Sequence, residues 1–227
     1  MTRLPADWTL TRRAGVDAPL LVAYPTVPGR EDDAARLDAA IAAQRVEEGG
    51  PRFPADVLRL EGYATCGEAW NDAAAWAASE GYRFVVLAAD DLEPAEGCLA
   101  AAAAALAMGW SPSALIVTAE TDAVESHGDW GRIYPGEGNT PVSMTRIPAV
   151  RVEWWRRIPP IHYYSDNAVT TVLRHLDVPI LASRGFAWRH HWAQAGRISG
   201  VGEQAAQERD AYTIFERETI TTNGRNL

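Results

Sequence analysis

The sequence predicts an α/β domain: a mainly parallel central sheet with helices on both faces. Three observations carry that prediction. Short apolar runs alternate with segments of helical period through the first half of the chain. Runs such as "PLLVAY" and "RFVVLAA" are apolar almost throughout, as strands buried on both faces are. The helical segments between them are long enough to carry the chain back for a parallel neighbour.

Taken in order, "PLLVAY" is the first strand of this pattern, closed by "PTVPGR". "EDDAARLDAAIAAQRVEEGG" is a helix, with acids in the first turn where the helix dipole favours them and Gly49-Gly50 as a stop. "DVLRLEG" is the second strand. Thr65 and Glu68 then have the spacing of a capping box, in which each side chain satisfies a backbone N–H at a helix start. Trp70, Ala73, Ala74 and Ala77 share one face of that helix, and Gly81 ends it. The strand "RFVVLAA" follows. Pro94 opens an Ala-rich helix with Leu99, Ala102 and Leu106 on one stripe and Gly109 as its stop, and "SALIVTA" is a fourth strand.

From Glu120 to Arg146 the periodicity breaks down into Gly, Pro and polar residues, a long loop of the kind that carries function or moves. "MTRIPAVRVEWWRRI" returns to extended or mixed structure, with Trp154 and Trp155 read as core ahead of a stacking platform. Ser165 or Asp166 caps a helix whose Val169, Val172, Leu173 and Leu176 share a face; Pro179 stops it, and "VPILAS" is a late strand. The polar end, "ERETITTNGRNL", reads as a loose extension. The expected division is an extension over 1–18, one domain over 19–197 and a second extension over 198–227.

Bulk composition excludes several classes. A chain of 227 residues, 47% hydrophobic and 22% charged, is ordinary for a globular protein. A formal net charge of -9 argues against constitutive nucleic-acid binding, which needs a basic face. All 21 cationic residues are Arg. Cys66 and Cys98 have neither a metal-cluster nor a disulfide-framework spacing. No run approaches the roughly 20 apolar residues of a membrane span, and the N-terminus lacks a secretory core. A cytoplasmic protein without a membrane partner is the expectation.

The chemistry concentrates in "RFVVLAADDLEP", where two adjacent carboxylates end a buried strand. Like charges there repel unless a cation sits between them. A solvated turn and a divalent-metal site are both open readings. Ligands bind beyond the carboxyl ends of strands in such sheets. Thr26, Glu61, Asp90 and Asp91 all fall at strand carboxyl ends and should meet on one rim. In "SHGDWGRIYP", Trp130 offers a ring for stacking, with His127 and Asp129 as polar handles, or the loop is anchored by a buried Trp. The same two readings apply to Tyr163 and Tyr164.

The order of these parts resembles the family-two glycosyltransferases of the GT-A fold, especially short phage-encoded members. "YPTVPGR" looks like their opening strand and turn, and "GEAWNDAAAWAASEGYRFVVLAADDLEP" is similar to their Asn-bearing helix and aspartate-motif strand. "HYYSDNAVTTVLRHLDVPI" resembles the segment carrying a catalytic acid at a helix start. "FAWRHHWAQAGR" resembles the closing segment that supplies a metal-binding histidine. The family usually has Asp-x-Asp, and here Ala88 takes the first aspartate position.

The resemblance implies transfer of a hexosyl or pentosyl group from a nucleotide-diphosphate sugar to an acceptor hydroxyl, with inversion. It implies Mn²⁺ or Mg²⁺ held by Asp90, Asp91 and His190, with His191 as the alternative imidazole. Thr26, Glu61, Asn71 and Asp90 would bind the donor. Asp166 would be the general base, against its plain role as a helix cap, with Ser165 and Asn167 orienting it. His127, Asp129, Trp130 and Tyr164 would face the acceptor, a virion protein or a modified DNA base in a host cytoplasm. Two rival expectations stand beside it. One is a non-catalytic nucleotide- or sugar-binding module of the same fold, which Ala88 encourages. The other is a metal-dependent hydrolase or nucleotidyltransferase.

Overall fold

Pairing begins at three strands whose residues are almost all buried: β2 (Leu20–Pro25), β3 (Ala55–Leu60) and β4 (Phe84–Leu87). β2 lies between the other two and is parallel to both, with Val22 opposite Val57 on one side and Val86 on the other. The computed structural model describes residues 8–11, 20–46, 50–107, 113–116, 142–146, 159–161, 168, 171, 180–182, 188–191 and 201–221. The expectations on Asp166, His127, Asp129, Trp130, Tyr163 and Tyr164 fall outside these residues.

The sheet has seven strands in the order β1-β3-β2-β4-β7-β6-β8, adding β1 (Trp8–Thr11), β6 (Ser113–Ile116), β7 (Val142–Arg146) and β8 (Ile180–Ala182). The α/β class is as expected, and its parallel centre is the predicted βαβ arrangement. The outer half is mixed. β7 is antiparallel to both β4 and β6, while β6 and β8 are parallel. A parallel neighbour needs a crossover of a dozen or more residues, generally a helix. The Gly- and Pro-rich stretch between β6 and β7 has no helical period, so an antiparallel return is the pairing it permits.

Helix α1 (Glu31–Ala43) and α3 (Cys98–Ala107) cover one face, and α2 (Cys66–Ser79) covers the other. Alternation along β2 separates the two cores. Leu20, Val22 and Tyr24 join Leu37, Ile41, Leu99 and Trp188, while Leu21 and Ala23 join Trp70, Ala73 and Ala77. Half of the predicted capping box is present: Thr65 Oγ1 accepts from the Glu68 N–H at 3.3 Å, while the Glu68 carboxylate accepts from the Thr65 hydroxyl at 3.3 Å. Gln44, buried just past α1, donates to the Ala95 carbonyl at 3.0 Å and accepts from the Leu99 N–H at 3.3 Å. Those bonds tie the end of α1 to the start of α3.

Three local expectations are corrected. Pro94 does not open a helix. It ends β5 (Leu92–Pro94), which pairs antiparallel with β9 (Trp188–His190), and the helix starts at Cys98. A two-stranded ribbon has open edges, where a residue without an N–H costs no ladder bond. The N-terminal segment contributes β1, an edge strand antiparallel to β3. The polar C-terminal segment is helical as far as it is described: α4 (Val201–Thr221) is a helix whose Phe215 is buried in the core on the α2 side, with Tyr212 packed against it. Tyr212 Oη lies 3.0 Å from Thr171 Oγ1. Among the described residues, no helix is long and apolar enough to cross a membrane.

Candidate functional site

The carboxyl ends of β2, β3 and β4 form one rim because the three strands are parallel and in register. The Thr26 N–H donates to the Leu60 carbonyl at 2.9 Å, and the Ala88 N–H to the Ala23 carbonyl at 2.9 Å, extending both ladders past the strands. From α2, the Trp70 indole N–H donates to the Ala88 carbonyl at 2.9 Å, which fixes the chain where it leaves β4. Ala88 itself is fully buried among the residues packed under α1 and α3. A carboxylate at that position would be a desolvated charge inside the apolar core. The acidic pair therefore falls two and three residues later, where the chain reaches the rim.

Asp90 is the more enclosed of the pair. Its side chain is 5% exposed, against 18% for Asp91. Thr26 Oγ1 donates to Asp90 Oδ2 at 2.8 Å, joining the ends of β2 and β4. Arg30 Nη2 lies 3.0 Å from Asp90 Oδ1 and 3.4 Å from Asp91 Oδ2. The cation that adjacent carboxylates require is thus supplied by the chain itself. Arg30 Nε also reaches Asp33 Oδ2 at 3.3 Å, and Arg36 pairs with Asp33 Oδ1 at 2.6 Å. Three carboxylates face two guanidiniums, so the cluster keeps an excess of negative charge.

These contacts set the protonation of the site. Burial raises the Asp90 carboxyl to about 6, with Arg30 and the Thr26 hydroxyl pulling it back down. Burial opposes the charge on Arg30, but Asp90, Asp91 and Asp33 together raise its pKa above the ordinary value. Tyr24 ties the end of β2 to α1: its Oη donates to Asp38 Oδ1 at 2.9 Å. Burial, then Asp38, raises that phenol well above its usual range.

A segment from far along the chain completes the rim. In the β5–β9 ribbon Leu92 pairs with His190, and the ladder continues with the His191 N–H donating to the Asp91 carbonyl at 2.9 Å. His191 Nε2 lies 2.8 Å from Glu93 Oε2, a diagonal cross-strand pair. His191 is therefore engaged by Glu93. His190 is described by its backbone alone, so the choice between the two as a metal ligand rests on residues outside the described side chains.

Of the expected donor residues, Thr26 and Asp90 are in direct contact. Glu61 follows β3 on the same rim, 44% exposed, with its Oε1 held 3.0 Å from Arg59 Nε. Asn71 lies on α2 beside Trp70. Sequence reasoning missed Arg30, Asp33 and the Glu93–His191 pair. The signal for Arg30 was present: two neighbouring carboxylates demand a cation, and Arg30 ends the turn after the adjacent strand.

The donor set suits a hard divalent cation, since carboxylate oxygens are what Mg²⁺ and Mn²⁺ prefer. The Arg30 guanidinium is a stand-in cation, bracketed by both carboxylates at the rim. Among the described residues, no three His, Cys, Asp or Glu side chains converge on one metal position.

No protein-family model matches the chain, and no curated protein matches it in sequence. Among solved structures, it is similar to a candidate nucleotide-diphospho-sugar transferase from Desulfovibrio desulfuricans G20, at 12% identity and a TM-score of 0.46, over 89% of this chain and 98% of that one.

Proposed function

We propose that the protein is a glycosyltransferase that moves a sugar from a nucleotide-diphosphate donor to an acceptor hydroxyl, with inversion, using Mn²⁺ or Mg²⁺. The observation that carries this reading is the adjacent pair Asp90 and Asp91 bracketing a cation at the carboxyl edge of parallel strands. Asp91, the more exposed carboxylate, would hold the metal directly. Asp90, pinned by Thr26, would support it from behind, and a histidine of the β9 segment would close the set. When bound, the divalent ion supplies Lewis-acid neutralisation of the charge that builds on the departing diphosphate.

The chain's own residues do the rest. Thr26 and Asp90 fix the floor of the donor site, and Glu61 faces the nucleoside from the end of β3. Asp166 takes the proton of the acceptor hydroxyl as its oxygen bonds to the anomeric carbon. The bond from that carbon to the diphosphate oxygen breaks, and the electron pair leaves with the nucleoside diphosphate.

Incubation with a panel of nucleotide sugars and Mn²⁺ tests the reading through the nucleotide released. Nucleoside diphosphate supports it, and nucleoside monophosphate points to a nucleotidyltransferase or hydrolase instead. Binding without turnover supports a non-catalytic module, the reading favoured by buried Ala88 in place of an acid.

A further inference from the structure

Arg30 stands in an unfavourable place for its own helix. It occupies the N-cap position of α1, makes no side-chain cap bond, and puts a cation at the positive end of the helix dipole. What it gains is the carboxylate pair: Nη2 contacts both Asp90 and Asp91. Those contacts are ionic and poorly directed, because the buried Nη2 makes no hydrogen bond of good geometry. The Arg30 side chain as a whole is 22% exposed, so it is not sealed into the core. The turn before it leaves Val27 46% exposed and passes through Gly29 at φ 90°, so it lies at the surface rather than under a neighbouring element.

From these features, and resting on the transferase reading above, we infer that Arg30 is an exchangeable counter-ion: it neutralises Asp90 and Asp91 in the empty site, yields that place to the divalent cation, and turns onto the donor diphosphate. A guanidinium suits the second role because its planar fork matches phosphate oxygens in a bidentate way. The exchange leaves every charged group of the site facing an opposite charge at each stage. Empty, the carboxylates face Arg30; loaded, they face the metal and Arg30 faces the phosphates. Metal and diphosphate then bind with positive coupling, and each must raise the affinity of the other by the same factor.

Arg30→Gln separates this exchange from a merely structural ion pair, because it acts with opposite sign on the two ligands. Mn²⁺ binding is read from the free-ion electron paramagnetic resonance signal without nucleotide. UDP and GDP binding is read by calorimetry at saturating Mn²⁺. The variant should bind Mn²⁺ about tenfold more tightly or better, since a competing charge is gone. It should bind the diphosphate about tenfold or more weakly, the loss of a charge-assisted hydrogen bond. Arg30→Lys keeps the charge and loses the fork, so its Mn²⁺ affinity should stay within about threefold of wild type while the diphosphate still weakens. It also serves if the Gln variant fails to fold. Mn²⁺ affinity unchanged or weaker in a folded Gln variant overturns the exchange, as does undiminished diphosphate binding in either variant. Wild-type protein that binds neither Mn²⁺ nor a nucleoside diphosphate sinks the transferase reading itself, and the inference with it.

Discussion

Asp90→Asn should stabilise the metal-free protein at neutral pH, although it removes one partner of a buried ion pair. The folded protein holds the Asp90 carboxyl at about 6, against an ordinary value of 3.8. Between those values the folded state binds more protons than the unfolded state, so this group's contribution to stability falls as pH rises. Across the whole window the loss is about 3 kcal/mol. Asparagine keeps an acceptor for Thr26 Oγ1 and carries no charge to desolvate, while Arg30 retains Asp91 and Asp33. Urea unfolding with a chelator, across a pH series, gives the difference between variant and wild type. Carboxylates remote from the site titrate alike in both proteins and cancel. That difference should be near zero at about pH 3 and reach about 3 kcal/mol in favour of the variant by about pH 7.5. A difference that stays flat with pH, or a variant less stable than wild type at neutral pH, refutes the argument that burial outweighs Arg30 at this carboxylate.

Two further variants probe the parts around that pair. Trp188 is fully buried and anchors β9 beneath the rim, so Trp188→Ala should cost about 3–5 kcal/mol of unfolding free energy in urea titrations; a cost under about 1 kcal/mol would mean that β9 is not docked as described. Asp166→Asn should leave donor binding intact while lowering transfer to an acceptor by about a hundredfold or more in a product assay; transfer at the normal rate removes Asp166 as the base.

The central strands were legible because a run buried on both faces leaves a continuous apolar signature, and "PLLVAY" and "RFVVLAA" both carry it. The start of α2 was legible because a capping box is local chemistry between Thr65 and Glu68. What failed was non-local. β5 and β9 are three residues each and pair across nearly a hundred positions of sequence, so neither has a local pattern to read. Among the described side chains of α4 only Phe215 is buried, and its mostly polar composition resembles that of a solvated tail. At the site, the like-charge argument asked for a cation but left its source open. The answer required knowing that β2 and β4 are neighbours, a fact of sheet order that brings Arg30 to Asp90 and Asp91.

Calorimetric titration of nucleoside diphosphates into wild type and Asp91→Ala, each with Mn²⁺ and with chelator, tests the central claim most directly. The account predicts binding to wild type that depends on Mn²⁺ and falls by at least about tenfold in the variant. Equal affinity in the two proteins, or binding indifferent to the metal, would place the nucleotide away from the Asp90–Asp91 rim and contradict the account.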